Sequence, residues 1–134
     1  MLIPRQERLL LQKQIDVSNA RQKVRVWSHE LHFSIVDQTK LVTAASELAR
    51  NTLIYGGGGT MLIEELQENG KKGIALTFED QGPGIPDIEL ALKDGYTSGG
   101  GLGMGLGGAK RLVHQFEIES MIGRGTKIRV LRWQ

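Results

Sequence analysis

Two carboxylates and one carboxamide occupy positions from which they could do chemistry. The segment SELARN places Glu47 and Asn51 four residues apart, and therefore on one face of a helix. Asp80 ends the strand-like segment GIALTFED and precedes a turn-forming segment at residues 82–84. A carboxylate can act as a general base, and carboxylate and amide oxygens are the ligands that Mg²⁺ prefers. These three side chains are therefore candidates for a base and a ligand-binding group.

Each of these positions has a second interpretation. Strict alternation puts Asp80 on the same buried side as Leu76 and Phe78, where an unpaired carboxylate is costly unless a ligand supplies a donor. Alternatively, the strand ends earlier and Asp80 simply caps the turn that follows. Glu47 and Asn51 could serve as base and metal ligand, or they could form a boundary pair that hydrogen-bonds to a neighbouring loop.

A glycine-rich stretch, TSGGGLGMGLGGAKRL, contains seven glycines in sixteen residues and satisfies G-x-G-x-x-G from Gly103 to Gly108. It is not a dinucleotide fingerprint, because no strand leads into Gly103. It is not a Walker A loop either, because Lys110 is followed by arginine. Backbone N–H groups of glycines at the start of a helix can bind an anion, so this stretch could be a phosphate-binding loop. The alternative interpretation is a flexible linker.

Hydrophobic periodicity predicts the helices that position these residues. A first helix begins at Asp16 or Ser18 as N-cap and ends near His32. A second helix is capped by Asp37 or Thr39 and ends at the glycines of residues 56–59. Its apolar stripe contains Leu41, Ala44, Leu48 and Tyr55, and places Thr43, Ser46 and Arg50 on the solvent side. A third helix is predicted over residues 104–116.

Alternating apolar residues predict the strands. An edge strand over residues 8–15 follows Pro4, and TMLIEEL and GIALTFED are joined through the hairpin signal Asn69-Gly70. EIESMI and TKIRVLRW predict two final strands around a turn at residues 123–125. The resulting order, βααββ, loop, αββ, predicts an α/β protein of the two-layer α+β kind rather than a parallel doubly wound fold.

Composition narrows the classes of function. A chain of 134 residues predicts a single domain over residues 1–134, and its net charge of +2 carries no basic stripe, which argues against nucleic-acid binding. No apolar run is long enough to span a membrane and no signal sequence opens the chain, so no membrane association and a cytoplasmic location are expected. The absence of cysteine excludes disulfides, cysteine-bound zinc and thiol nucleophiles.

Four short segments, in order, resemble the nucleotide-binding domain of the GHKL superfamily, which contains DNA gyrase B, Hsp90, MutL and the sensor histidine kinases. They are SELARN, DQGPG, GLGMGLG and GRGT. The resemblance implies a Bergerat-type ATP-binding fold, a mixed and mostly antiparallel sheet with helices on one face. It also implies ATP and Mg²⁺ as cofactors, with ATP held between the sheet and the helices under a mobile lid.

The resemblance also implies roles for individual residues. Asp80 would accept the adenine amino group, Asn51 would coordinate Mg²⁺, and Glu47 would be the general base. Thr126 would lie near the adenine, and Gly82 and Gly84 would belong to the nucleotide-binding turn. The residues that would cover the phosphates are Gly101, Leu102, Gly103, Met104, Gly105 and Leu106.

The whole chain is similar to the switch serine/threonine kinases of the bacterial stressosome. This implies STAS-domain scaffold proteins as substrates and, after release, activation of a PP2C-type phosphatase. The alternatives are an anti-sigma factor kinase that sequesters a sigma factor, and a non-catalytic ATP-sensing adaptor. The segment SHELHF imitates a phosphoacceptor box, but His29 lies only 18 residues before Glu47, so a surface or packing role is expected.

Overall fold

The computed structural model describes residues 1–93 and 105–134. Nine elements follow one another in that part of the chain. They are β1 (Leu2–Leu11), α1 (Gln14–Glu30), α2 (Ile35–Ile54), β2 (Gly59–Glu68), β3 (Lys71–Asp80), α3 (Ile88–Ala91), α4 (Gly105–Arg111), β4 (Gln115–Met121) and β5 (Gly125–Trp133). The predicted order is confirmed, with the addition of the one-turn helix α3. Among the described helices, none is long and apolar enough to cross a membrane.

The strands form one sheet in the order β1-β2-β3-β5-β4, and each of its four pairings is antiparallel. The predicted two-layer α/β class is confirmed, and the described sheet is wholly antiparallel rather than mixed. β2 and β3 form the predicted hairpin, in which Asn69 and Gly70 both have positive φ (51° and 79°). Such a turn matches the right-handed twist of the paired strands, which fixes their register.

The main core lies between one face of the sheet and the helices. Along β3, Ile74, Leu76 and Phe78 point to this face, where they meet the buried side of α2 at Leu41 and Leu48. Most of the predicted stripe of α2 is therefore buried. Its last member, Tyr55, is 39% exposed because the helix ends at Ile54. A smaller cluster of Leu66, Ala75 and Leu131 lies on the alternate positions of the strands.

Both predicted N-caps differ from the structure. α1 begins at Gln14, so Asp16 lies in its first turn, where its carboxylate accepts hydrogen bonds from the backbone N–H groups of Gln12 and Lys13 (2.8 and 2.9 Å). The predicted first strand, over residues 8–15 after Pro4, instead runs from Leu2 to Leu11, so it begins before Pro4 and ends before α1. Polar residues at a helix start can act from the cap or from the third position, and sequence alone does not separate the two.

The N-cap of α2 is Ser34, whose hydroxyl accepts a hydrogen bond from Asp37 N. The Asp37 carboxylate instead pairs with the buried guanidinium of Arg132 on β5. This hydrogen bond holds the pKa of Asp37 below its ordinary value. Arg132 also donates to the backbone oxygen of Leu112, just after α4, so this one side chain ties three elements together.

The third helix is shorter than predicted. Its described part ends at Arg111, and Phe116 belongs to β4. Met104, the predicted first residue, lies outside the described residues. α3 was not predicted; its N-cap Asp87 accepts a hydrogen bond from Leu90 N at 3.0 Å.

Candidate active site

A cavity of about 540 Å³ opens between the C-terminal half of α2 and the ends of β3 and β5. Four predicted residues from different parts of the sequence line it, namely Glu47, Asn51, Asp80 and Thr126. Phe78, Ile85, Leu90, Leu106 and Ile128 contribute apolar surface to the same lining. An apolar cleft of this size with a few convergent polar groups is typical of a small-molecule site.

One face of α2 supplies the polar wall of the cavity. Glu47 and Asn51 are half-buried, and the Glu47 side chain is only 14% exposed. Arg50 lines the cavity too, with Nη1 3.6 Å from Glu47 Oε1. Arg50, predicted on the solvent side, has a side chain that is 40% exposed and also lies at the cavity. The apolar stripe indicates which side of α2 meets the core, but it does not indicate how far around the helix the cavity extends. The i,i+3 spacing of Glu47 and Arg50 was a sequence signal that the two side chains lie close together.

Asp80 is both a strand residue and a cap of the turn that follows, so both interpretations of the sequence apply. β3 extends through Asp80, as the alternation predicted, and the carboxylate also caps the following turn. Oδ1 accepts hydrogen bonds from the backbone N–H groups of Gly82 (2.9 Å) and Thr126 (3.2 Å). These two bonds fix the orientation of the carboxylate, and Oδ2 accepts no hydrogen bond within residues 1–93 and 105–134, which leaves it available to a ligand.

Glycines make room for this carboxylate. A Cβ on Gly56 would lie 2.4 Å from Asp80 Cγ and 2.5 Å from Oδ2. A Cβ on Gly82 would lie 2.7 Å from the backbone oxygen of Gly56, and one on Gly125 would lie 2.1 Å from that of Asp80. Gly56 and Gly125 thus approach Asp80, and Gly82 approaches Gly56, more closely than a side chain would permit. The glycine run at residues 56–59, whose role the sequence did not reveal, forms part of the site.

The turn after β3 docks on the β4–β5 turn. The backbone oxygen of Pro83 accepts a hydrogen bond from Gly123 N at 2.8 Å, and a Cβ on Gly84 would lie 2.5 Å from the backbone oxygen of Met121. Ser120 completes this contact, because its hydroxyl accepts a hydrogen bond from Ile85 N at 2.8 Å. Ser120 was not predicted from the sequence, because its position beside the site depends on the pairing of β4 with β5.

The polar lining suits a nucleotide bound with a divalent cation. Among the described lining residues there are three carboxylates, on Glu47, Asp80 and Asp87, and one guanidinium, on Arg50. Such a wall would repel a polyphosphate unless a cation accompanied it. Mg²⁺ usually takes one or two protein oxygens and completes its shell with phosphate oxygens and water, so the Asn51 carboxamide fits that demand. An apolar surface beside one fixed hydrogen-bond acceptor, the Asp80 carboxylate, suits a nucleobase that carries an amino group.

Other predicted residues are distributed as follows. Gly84, Gly105 and Leu106 line the cavity, whereas Gly82 acts through its N–H on Asp80. Gly101, Leu102, Gly103 and Met104 lie outside the described residues. The histidines do not line the cavity. His29 and His32 are exposed, and His114 Nδ1 accepts a hydrogen bond from Trp133 N at 2.9 Å.

Comparison with known proteins agrees with this geometry. The family described as "Histidine kinase-, DNA gyrase B-, and HSP90-like ATPase" matches residues 36–134, which include the whole cavity wall. The serine/threonine-protein kinase RsbT of Bacillus subtilis is 48% identical over 118 residues, which are 88% of this chain and 89% of that protein. The anti-sigma F factor of Clostridium novyi is 31% identical over 123 residues, covering 88% of this chain and 86% of its own.

Solved structures share the fold. The RsbU and RsbW domains of a Mycobacterium tuberculosis protein align with 97% of this chain and 33% of their own, with a TM-score of 0.63 and 18% identity. The mycobacterial sensor histidine kinase MprB aligns with a TM-score of 0.56 and 19% identity, covering 96% of this chain and 97% of that one. Sequence, fold and cavity therefore agree that the chain belongs to the family of histidine kinase-, DNA gyrase B- and HSP90-like ATPases.

Proposed function

We propose that this protein is an ATP-dependent serine/threonine kinase that phosphorylates a STAS-domain protein in a partner-switching pathway. The observation that carries the proposal is that one cavity unites Glu47, Asn51, Asp80 and Thr126, which come from α2, β3 and β5. The 48% identity to a serine/threonine-protein kinase over 88% of the chain supports the reaction class.

The adenine end of the nucleotide would lie against Asp80. Because Oδ1 already accepts two backbone hydrogen bonds, Oδ2 is the oxygen that would accept one from the adenine amino group. Thr126, which lines the same cavity and whose backbone N–H bonds to Asp80 Oδ1, would lie near the adenine ring. A hydrogen-bonding site of this kind rejects bases that lack the matching group, because its own polar atoms would be left unpaired.

The phosphate end would lie towards α2 and the start of α4. Asn51 would supply a side-chain oxygen to Mg²⁺, which neutralises phosphate charge when bound with ATP. Segment 101–106 is assigned to the phosphates by the family resemblance, and its described members, Gly105 and Leu106, line the cavity.

Glu47 is the group proposed to act on the acceptor hydroxyl. Its carboxylate would accept the hydroxyl proton as the serine or threonine oxygen bonds to the γ-phosphorus. The bond from that phosphorus to the bridging oxygen breaks, and ADP leaves. The Arg50 guanidinium 3.6 Å away restrains the Glu47 carboxylate on the cavity side of α2. General-base assistance of this kind contributes about 10² to 10⁴ in rate.

The partners that we propose follow from the similarity to the stressosome switch kinases. The substrate would be a small STAS-domain scaffold protein, and the released kinase would bind and activate a PP2C-type phosphatase. Phosphorylation of the substrate requires ATP, which the cytoplasm supplies, so the cytoplasm is the location that we propose.

A second candidate function is capture of a sigma factor, with phosphorylation reversing the capture. The observation in its favour is that anti-sigma F factors are about 30% identical over 88 to 96% of the chain. Pull-down of the purified protein against a sigma factor and against STAS-domain proteins separates the two functions.

The test is transfer of the γ-phosphoryl group from labelled ATP to a STAS-domain protein by wild type and by Glu47→Gln. We expect Glu47→Gln to bind ATP as wild type does and to transfer phosphate at least 100-fold more slowly, because only the proton acceptor is lost. Asp80→Asn should instead lose ATP affinity, and its phosphate transfer should fall as a consequence. Glu117→Gln, an exposed carboxylate on β4, is the matched control and should behave as wild type.

Transfer by Glu47→Gln at the wild-type rate would show that Glu47 is not the base. ATP binding by wild type without transfer to any STAS-domain protein would favour the non-catalytic adaptor instead.

A further inference from the structure

Arg50 is a cavity residue whose guanidinium has no assigned ligand. Among the described residues that line the cavity it is the only lysine or arginine, and the same lining contains the carboxylates of Glu47, Asp80 and Asp87. Its side chain is partly exposed, so a ligand in the cavity can reach the guanidinium. A single cation in an otherwise acidic wall is the group that an anionic part of a ligand would bind.

The ion pair with Glu47 does not use up the hydrogen-bonding capacity of Arg50. Nη1 lies 3.6 Å from Glu47 Oε1, which is too far for a hydrogen bond. Within residues 1–93 and 105–134, no protein group accepts a hydrogen bond from Arg50. A guanidinium carries its N–H donors in a planar fork that matches the oxygens of a phosphate group. The donors of Arg50 are therefore available to a phosphate.

The order of the side chains around α2 brings Arg50 to the phosphate end of the cavity. Successive residues of a helix are rotated by about 100°, so Asn51 lies about 40° to one side of Glu47 and Arg50 about 60° to the other. All three residues line the cavity. With Mg²⁺ at Asn51, a γ-phosphate next to Glu47 would have the metal ion on one side and the guanidinium on the other.

A carboxylate base beside the γ-phosphate is electrostatically unfavourable unless a cation accompanies it. One divalent cation does not neutralise a triphosphate, so MgATP is still an anion and the Glu47 carboxylate would repel it. The Arg50 guanidinium 3.6 Å from that carboxylate offsets the repulsion. Its charge would stabilise the transition state most, because negative charge is then spread over the equatorial oxygens of the transferring phosphoryl group.

We propose that Arg50 is a catalytic residue that binds the γ-phosphate of ATP and stabilises its charge during transfer. This inference rests on the proposed function, which puts the phosphates at the α2 side of the cavity. The acceptor oxygen bonds to the γ-phosphorus while the bond from that phosphorus to the bridging oxygen breaks. Arg50 donates hydrogen bonds to the non-bridging oxygens and keeps its protons. The acceptor proton goes to Glu47, and ADP leaves with the bridging oxygen.

The first measurement compares ATP with ADP, which lacks the γ-phosphate. Calorimetry with Mg²⁺, without an acceptor protein, gives the ratio of the ADP to the ATP dissociation constant for wild type, Arg50→Met and Arg50→Lys. In Arg50→Met this ratio should fall about tenfold, which corresponds to one hydrogen bond between charged groups. Arg50→Lys keeps the charge without the planar fork, so it should recover part of the loss.

The second measurement is the rate of phosphate transfer from saturating ATP to a STAS-domain protein. Arg50→Met should transfer about 10² to 10³ times more slowly than wild type, because a donor that stabilises the transition state is lost. Glu47→Gln should also lose transfer, but its ratio of ADP to ATP dissociation constants should stay at the wild-type value. This difference separates a direct contact of Arg50 with the phosphate from an effect exerted through Glu47.

Lys40→Met is the matched control for the loss of a positive charge from α2. Lys40 is exposed on the same helix and does not line the cavity. It lies about 15 Å from Arg50 along the helix axis. Lys40→Met should therefore keep both the wild-type ratio of dissociation constants and the wild-type rate of transfer.

Two results would overturn the inference and leave the proposed function intact. One is transfer by Arg50→Met at the wild-type rate, whatever its ATP affinity. The other is an unchanged ratio of dissociation constants in Arg50→Met, because Arg50 would then act through Glu47 or through the fold. Absence of phosphate transfer by wild type would overturn both proposals.

Discussion

At the scale of single residues, Asp80 shows how a carboxylate can be made specific by its neighbours. The two backbone N–H groups on Oδ1 belong to Gly82 and Thr126, which are 44 residues apart in sequence, and among the described residues they leave Oδ2 as the oxygen available to a ligand. A carboxylate held in this way has lost its rotational freedom before the ligand arrives. Binding therefore costs less conformational entropy than it would with a mobile side chain.

Gly56 provides a residue-scale prediction. Gly56→Ala would place a Cβ 2.4 Å from Asp80 Cγ, so the carboxylate must move away from its backbone donors. We expect the ATP dissociation constant to rise by more than about tenfold, because a misplaced acceptor forfeits its hydrogen bond to the base. Calorimetric titration with ATP measures this change.

The control is the adjacent residue. Gly57 has a φ of +75° with open space around its Cβ position, so Gly57→Ala should cost about 1 kcal/mol of stability through backbone strain and leave ATP affinity near that of wild type. Equal ATP affinities for Gly56→Ala and wild type would mean that Gly56 does not shape the site.

At the scale of elements, α2 is the helix that organises the molecule. Its buried stripe packs on the sheet, and the side chains of Glu47, Arg50 and Asn51 turn towards the cavity. At its other end, Asp37 ties the helix to Arg132 at the end of β5. The helix that carries the proposed base is therefore anchored at a distance from the chemistry, by an ion pair that takes no part in it.

This ion pair predicts how stability depends on pH. The Arg132 guanidinium lowers the pKa of Asp37, so the stabilisation is present above the ordinary carboxyl pKa of about 4 and is lost as pH falls through the lowered value. Asp37→Asn should reduce the free energy of unfolding by about 1.5 to 3 kcal/mol at neutral pH, because Arg132 keeps its buried position without a charged partner. The deficit should shrink in acid.

Urea unfolding of wild type and Asp37→Asn across the acid range measures the effect. Glu68→Gln, which removes an exposed carboxylate at the end of β2, should stay within about 0.5 kcal/mol of wild type. A deficit for Asp37→Asn that persists unchanged in acid would show that the charge of Asp37 does not stabilise the fold.

At the scale of the whole molecule, the sequence predicted the features that depend on neighbouring residues. It did not predict the features that depend on contacts between residues far apart in the sequence. Asn69-Gly70 predicted the hairpin, and the alternation of GIALTFED predicted where Asp80 would point, because both depend on neighbouring residues alone. The N-caps of α1 and α2 were misplaced by three to five residues. In each case the acidic residue nearby had another partner, the turn before the helix for Asp16 and Arg132 for Asp37.

The parts of the site that sequence did not reveal depend on tertiary contacts. Ser120 contacts the cavity-lining Thr126 only because of the register of β4 with β5, and Gly56 matters only because Asp80 packs on it. Neither contact leaves a local pattern in the sequence. The residues that were predicted, Glu47, Asn51, Asp80 and Thr126, were found because they belong to short segments shared with the family.

The central claim is that ATP binds in this cavity with its base at Asp80 and its phosphates towards Asn51. The most direct measurement is a crystal structure with a non-hydrolysable ATP analogue and Mg²⁺. The account predicts the adenine amino group within hydrogen-bonding distance of Asp80 Oδ2, and the phosphates beside segment 102–106. A nucleotide bound elsewhere, or one whose phosphates lie far from that segment, would contradict it.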